Sequence, residues 1–129
     1  MATVNCFEDL EIWKMARAFS KDIYAITNYN LFNKDYRFRD QIRASAGSIM
    51  DNIAEGFERN GNKEFVQFLF IAKGSCGEVR SQLYRALDCS YIVEDEFNAL
   101  KEKALNISKS ISNFIQYLKK VSITGSKYK

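Results

Sequence analysis

The chain has 129 residues, 47% of them hydrophobic with tyrosine counted, and neither proline nor histidine, which suits one domain with a core that needs no disulfide or metal. Its net charge of +3 is local: Lys119, Lys120, Lys127 and Lys129 fall in the last eleven residues, and without them 15 basic residues face 16 acidic ones. The body is thus near neutral, which excludes a broadly basic nucleic-acid binder, and the lack of histidine removes the commonest general base and metal ligand.

The first residues lack the basic region and apolar run of a secretory leader. No apolar stretch approaches the ~18 residues of a membrane span. Cys6, Cys76 and Cys89 are odd in number and without metal-type spacing, and read as reduced thiols of a cytoplasmic protein. The first predicted helix covers about 9–29, with Asp9 as N-cap and Glu8 and Glu11 favourable to the dipole. Ile12, Ala16, Phe19, Ile23 and Ile26 form its apolar stripe. Trp13, Ser20, Tyr24 and Thr27 flank it as a second stripe. Lys14, Arg17 and Lys21 line another side, which is either a solvated face or a phosphate contact. The segment Tyr29 to Asn33 has no helical pattern.

The second predicted helix, about 36–58, carries two parallel stripes. Ile42, Ala46, Ile49 and Ile53 are apolar, whereas Gln41, Ser45, Ser48, Asn52 and Glu55 are small or polar. That second stripe suits close helix contact better than solvation. Gly56 and then Arg59 to Asn62 supply the stop. Asn60 or Gly61 caps the third helix, about 62–89, with Glu64 placed to reach back toward the free amides. Its core stripe is Phe65, Leu69, Ala72, Cys76, Val79, Leu83 and Ala86. Gly74 and Gly77 interrupt it at ~1 kcal/mol each, which suggests the close approach of another backbone. The fourth helix, about 94–121, carries Phe97, Leu100, Ala104, Ile107, Ile111, Phe114, Leu118 and Val121 as a seam for near-parallel packing. Glu94, Asp95 and Glu96 open it, and a basic tail follows over about 122–129. Four such helices with short connections predict an all-α, antiparallel up-down-up-down four-helix bundle.

Catalytic readings are few. Histidine-based triads, zinc sites and Glu-x-x-His di-iron sites are excluded, and Gly74-Ser75-Cys76-Gly77 lacks the Lys-Ser/Thr of a phosphate loop. No metal, cofactor or enzymatic activity is expected. Glu55 and Glu78 read either as a carboxylate pair or, preferably, as acceptors in a buried polar cluster with Arg43, Asn52 and Gln82.

The residues Gln41-Ile42-Arg43, Ser48-Ile49, Asn52-Ile53-Ala54-Glu55-Gly56, Arg59, Lys63-Glu64-Phe65, Phe68-Leu69 and Ile71-Ala72-Lys73-Gly74-Ser75 together form an ordered signature. Glu78 and Gln82 continue it, and Phe7, Leu10, Trp13 and Ala16 precede it. Over about residues 7–120 the chain resembles the bacterial four-helix bundle proteins encoded in intervening sequences of 23S ribosomal RNA genes. The resemblance implies a left-handed bundle, a ring-like homopentamer, no established enzymatic activity, and relation to retroelement accessory proteins that bind nucleic acid and reverse transcriptase. Ala44 departs from it, since a second arginine usually follows the one matching Arg43. Met50 and Gly61 also depart, where proline and serine are common.

Two functions follow as expectations. In the first, an oligomeric bundle binds RNA or DNA, or a partner that handles it, through Lys14, Arg17, Lys21, Lys119, Lys120, Lys127 and Lys129. In the second, the chain is a structural or protein-interaction module without nucleic-acid binding. The second stripes of the first two helices predict a self-association surface in either case.

Overall fold

The computed structural model describes residues 4–124, with side chains through residue 121; Lys127 and Lys129 lie outside the described residues. Among these the chain is all-helical. A 3-10 turn at Phe7–Asp9 precedes α1 (Glu11–Thr27), a short α2 (Asn30–Lys34), α3 (Tyr36–Glu58), α4 (Asn62–Asp88) and α5 (Glu94–Thr124). The four long helices close a ring of contacts, α1 on α3, α3 on α4, α4 on α5 and α5 on α1.

The apolar stripes meet inside that ring. Ala16, Ile23, Ile42, Ile49, Ile53, Phe65, Leu69, Cys76, Leu83 and Ile111 are fully buried, and burial of each large side chain contributes ~1.5–3 kcal/mol before entropy is counted. Along α5 the expected seam holds, with Leu118 fully buried, except at one position. Ile115 is buried, whereas Phe114 is only partly buried and packs edge-on to Phe65 at 5.6 Å. An undistorted helix turns 3.6 residues per turn rather than 3.5, so a heptad stripe drifts around a long helix until one step of four restores it.

The ends differ more from expectation. Asp9 does not cap α1. It belongs to the 3-10 turn, accepts a hydrogen bond from Cys6 Sγ at 3.2 Å, and leaves the capping position to buried Leu10. Phe7 lies edge-on to Trp13 at 5.1 Å; burying this apolar pair and Leu10 selects the turn over a side-chain cap. The segment read as irregular contains α2. Phe32 is fully buried there, against Phe38 at 5.2 Å and Tyr91 at 5.1 Å, so tertiary burial overrides a weak local pattern.

Asp35 does cap α3, accepting from the Phe38 amide at 3.3 Å and from the Tyr91 hydroxyl at 2.8 Å. Helix α3 runs through Gly56 and stops before Asn60, which takes a left-handed φ of 60°, a conformation asparagine tolerates. Gly61 holds the cap position of α4 without a side-chain bond, and Glu64 does not reach back; it lies 3.9 Å from the Arg59 guanidinium. The reach-back occurs one helix later, where Glu96 accepts from the Val93 amide at 3.0 Å. Between them α4 ends in a paired 6→1 and 5→2 motif: Tyr91 N donates to Ala86 O at 2.9 Å and Ser90 N to Leu87 O at 3.0 Å.

The glycine expectation is corrected. A Cβ at Gly74 or Gly77 would meet nothing within 4 Å, so neither marks a close neighbour within the chain. The close approach is at Gly56, where a Cβ would stand 2.6 Å from Phe68 Cβ and 2.9 Å from Phe65 Cδ1.

Candidate functional site

The expected buried cluster of Arg43, Asn52, Glu55, Glu78 and Gln82 does not form. Arg43 turns toward α1, donating from Nε to Thr27 Oγ1 at 2.7 Å and from a terminal nitrogen to Asn28 Oδ1 at 3.1 Å. Its guanidinium also lies over the Tyr24 ring at 4.7 Å. Glu55 is exposed and accepts from Arg59 at 2.9 Å. Glu78 is exposed, with no ion pair among the described residues. Two carboxylates in water need no buried donors, which is why the cluster is unnecessary.

What does form is an uncharged seam between α3 and α4. Ser75 Oγ donates to Ser48 Oγ at 3.1 Å, and Gln82 Nε2 donates to Ser45 Oγ at 3.0 Å. Ser45 Oγ in turn donates to Gln41 O at 3.0 Å, and Asn52 Nδ2 donates to Ser48 O and Oγ at 2.8 and 2.9 Å. Gln82 Oε1 is buried with no partner among the described residues. The polar stripe of α3 is therefore spent largely on packing within the chain. Of the second stripe of α1, Ser20 and Thr27 are buried and Trp13 is partly buried against Phe7, whereas Tyr24 is exposed.

Charge is arranged in the open. Lys14, Arg17 and Lys21 are exposed along one side of α1. Arg17 stands over the Trp13 ring at 5.7 Å, and none of the three joins an ion pair among the described residues; their neighbour Asp22 is held by Lys103 at 2.7 Å. At the other end of the sequence, Lys119 and Lys120 are exposed on α5, with Lys119 Nζ 5.4 Å from the Phe70 ring. Lys119 and Phe70 belong to a surface groove of ≈ 520 Å³ lined also by Asn62, Lys63, Val66, Gln67 and Leu118. Its titratable groups are two lysines, with no carboxylate or thiol beside them.

The thiols are all free. Cys76 is buried, and burial pushes its pKa up to about 12 despite the nearby charges of Arg80 and Lys73, which makes it inert as a nucleophile at neutral pH. Cys6 is raised by its hydrogen bond to Asp9. Tyr91 is raised by its bond to Asp35. Among the described residues no group of three or more Cys, Asp or Glu is placed to hold a metal, and no helix is long and apolar enough to cross a membrane.

Fold and surface together define a class: a small all-helical protein whose chemistry-bearing features are charged and aromatic surfaces. The chain belongs to the 23S rRNA-intervening sequence protein family, whose model matches residues 8–113. A crystal structure of a protein of unknown function from the S23 ribosomal protein family of Bacteroides thetaiotaomicron shares the fold, with a TM-score of 0.73 and 21% identity over 81% of this chain and 97% of that one. No curated protein matches the chain.

Proposed function

We propose that this is a non-enzymatic, cytoplasmic, self-associating four-helix bundle protein that binds the phosphate backbone of RNA or DNA, alone or with a reverse transcriptase-like partner that handles it. The observation that carries the reading is the row of Lys14, Arg17 and Lys21, exposed and without ion pairs along one helix side. Cations kept clear of carboxylates are available to neutralise phosphate, and Arg43 over Tyr24 lies on the same flank of the first helix. Lys119 and Lys120, with Lys127 and Lys129 in the tail, add to that charge. Assembly as a homopentamer, which the family resemblance implies, would multiply it fivefold.

The bundle reading rests on pair order. Gln41, Ser45 and Ser48 meet Arg85, Gln82 and Ser75 in reverse sequence, as antiparallel neighbours do, and short connections favour the up-down-up-down, left-handed arrangement. A protein-interaction module without nucleic-acid binding is the second reading. The exposed apolar side chains Ile71 at 53% and Leu105 at 42% support it, since such residues suit a protein surface.

Electrophoretic mobility shift of labelled RNA separates the two. The full chain shifts RNA at low salt, a chain ending at residue 121 shifts it less, and Lys14→Gln/Arg17→Gln/Lys21→Gln shifts it weakly. If neither full nor truncated chain binds, the nucleic-acid reading is wrong; equal binding by both removes the tail from it.

A further inference from the structure

A second basic surface lies on the opposite side of α4 from the serine seam. Along α4, Lys63, Phe70, Lys73, Gly77, Arg80 and Tyr84 recur at steps of seven, three, four, three and four, which places them on one helix side. Along α5, Lys101, Ser108, Ser112 and Lys119 recur at steps of seven, four and seven. Three contacts tie the two rows into one face. Lys119 Nζ lies 5.4 Å from Phe70, Lys101 Nζ lies 5.4 Å from Tyr84, and Lys63, Phe70 and Lys119 line the same groove.

The face is unusual in its charge. From Lys63 to Tyr84 and from Lys101 to Lys119 the rows hold five cations and no acid. Glu64 lies beside Arg59 and Glu78 and Glu102 lie on other sides, whereas Asp88, four residues past Tyr84, and Glu94, seven before Lys101, continue the two rows at one end of the face. None of the five cations joins an ion pair among the described residues; Lys63 and Lys119 are exposed, and Lys73, Arg80 and Lys101 are half-buried. Two aromatic rings lie among them: Phe70 is 52% exposed and Tyr84 45%. Midway between these rings is Gly77, where a side chain would meet nothing within 4 Å, so the floor of the face is open to the backbone. From Lys63 to Tyr84 it runs ~32 Å, at 1.5 Å per residue.

A polyanion alone needs only the cations, and an apolar partner needs only the rings. A ligand that carries both a regular negative backbone and flat apolar surfaces meets both, and unpaired nucleotides are such a ligand, because their bases are free to stack. In a duplex the bases are stacked on one another and the rings of Phe70 and Tyr84 would have no partner. We propose that the α4–α5 face is a binding track for single-stranded RNA or DNA, with Lys63, Lys73, Arg80, Lys101 and Lys119 on phosphates and Phe70 and Tyr84 under bases. The proposal rests on the nucleic-acid reading above but assigns it a different surface and a strandedness.

Fluorescence anisotropy of the full chain with a labelled 20-nucleotide oligouridylate, and with a 20-base-pair RNA duplex, tests it at one salt concentration. Both rings are about half exposed, and Tyr84 also lies edge-on to Phe97 at 4.7 Å, so Phe70→Ala/Tyr84→Ala should keep its helical circular dichroism with a lowered unfolding midpoint, and binding is compared at a temperature where both chains are fully folded. This variant should lose roughly 30-fold or more in affinity for the single strand, from two stacked bases at ~1–3 kcal/mol each, and little for the duplex. Lys73→Gln/Lys101→Gln should weaken both. If the aromatic variant binds the single strand as the parent does, or if the parent prefers the duplex, the track is wrong. If only Lys14→Gln/Arg17→Gln/Lys21→Gln abolishes binding, the α1 surface stands and this one falls. Absence of binding by the parent to either probe overturns both.

Discussion

At Gly56 α3 lies too close to α4 for a side chain, and this gives the sharpest test of the packing. A methyl group there would meet Phe68 Cβ at 2.6 Å, a side-chain root that cannot swing away. Gly56→Ala should therefore destabilise by about 1–3 kcal/mol, as overpacking does. Gly74→Ala and Gly77→Ala have open space and helical backbones, and should stabilise by up to about 1 kcal/mol. Urea unfolding of the three variants checks the sign, and a stabilising Gly56→Ala would contradict the account. Cys76 adds a pH dependence. Its thiol titrates at about 12 in the folded chain against 9.0 when free. The neutral form is favoured by folding, so its contribution is complete below about pH 9 and is lost as pH rises toward 12. Cys76→Ala should flatten that part of the stability profile, measured as midpoint against pH. In sequence Gly56 reads as a helix stop and Gly74 as a point of close approach; what reverses the two is which neighbour faces each glycine, and no spacing encodes that.

At the scale of elements, the long helices follow from periodicity alone, because each must hide one apolar stripe from water and that stripe is written at steps of three and four. The limits of such reading are equally physical. Helix α2 exists because Phe32 is buried against Phe38 and Tyr91, residues six and 59 positions away, and a five-residue pattern carries no trace of that. The switch from Phe114 to Ile115 is set by accumulated helical drift against partners on other helices. Ile115→Ala should cost about 2–5 kcal/mol, more than a change of similar size at the partly buried Phe114 to Leu. Chemical denaturation of both variants decides it, and the reverse order would put the seam back on its heptad.

For the whole molecule, the surplus stripes that suggested self-association are partly used within the chain, Ser45 and Ser48 by bonds to α4, while Tyr24, Gln41 and Glu55 stay exposed. The proposed assembly must therefore draw on what remains exposed, including Ile71 and the open surface at Gly74. Light scattering at micromolar concentration should give five copies of a 14.9 kDa chain, about 75 kDa; a mass near one copy would remove assembly from the account. The basic α1 row was legible in the sequence because its three cations share one helix. The α4–α5 face was not, because three of its cations lie on α4 and two on α5, and only packing brings Lys101 to Tyr84 and Lys119 to Phe70. Both surfaces lead to the same central claim, that the chain binds a polynucleotide through unpaired cations. Equilibrium binding of a labelled single-stranded RNA between 50 and 200 mM salt tests it most directly, at roughly −0.7 in log–log slope per phosphate neutralised. Occupation of the five-cation face predicts a slope of about −3.5 and a loss of roughly 100-fold across that range, whereas no binding at the lowest salt, or affinity unchanged by salt, would contradict the claim.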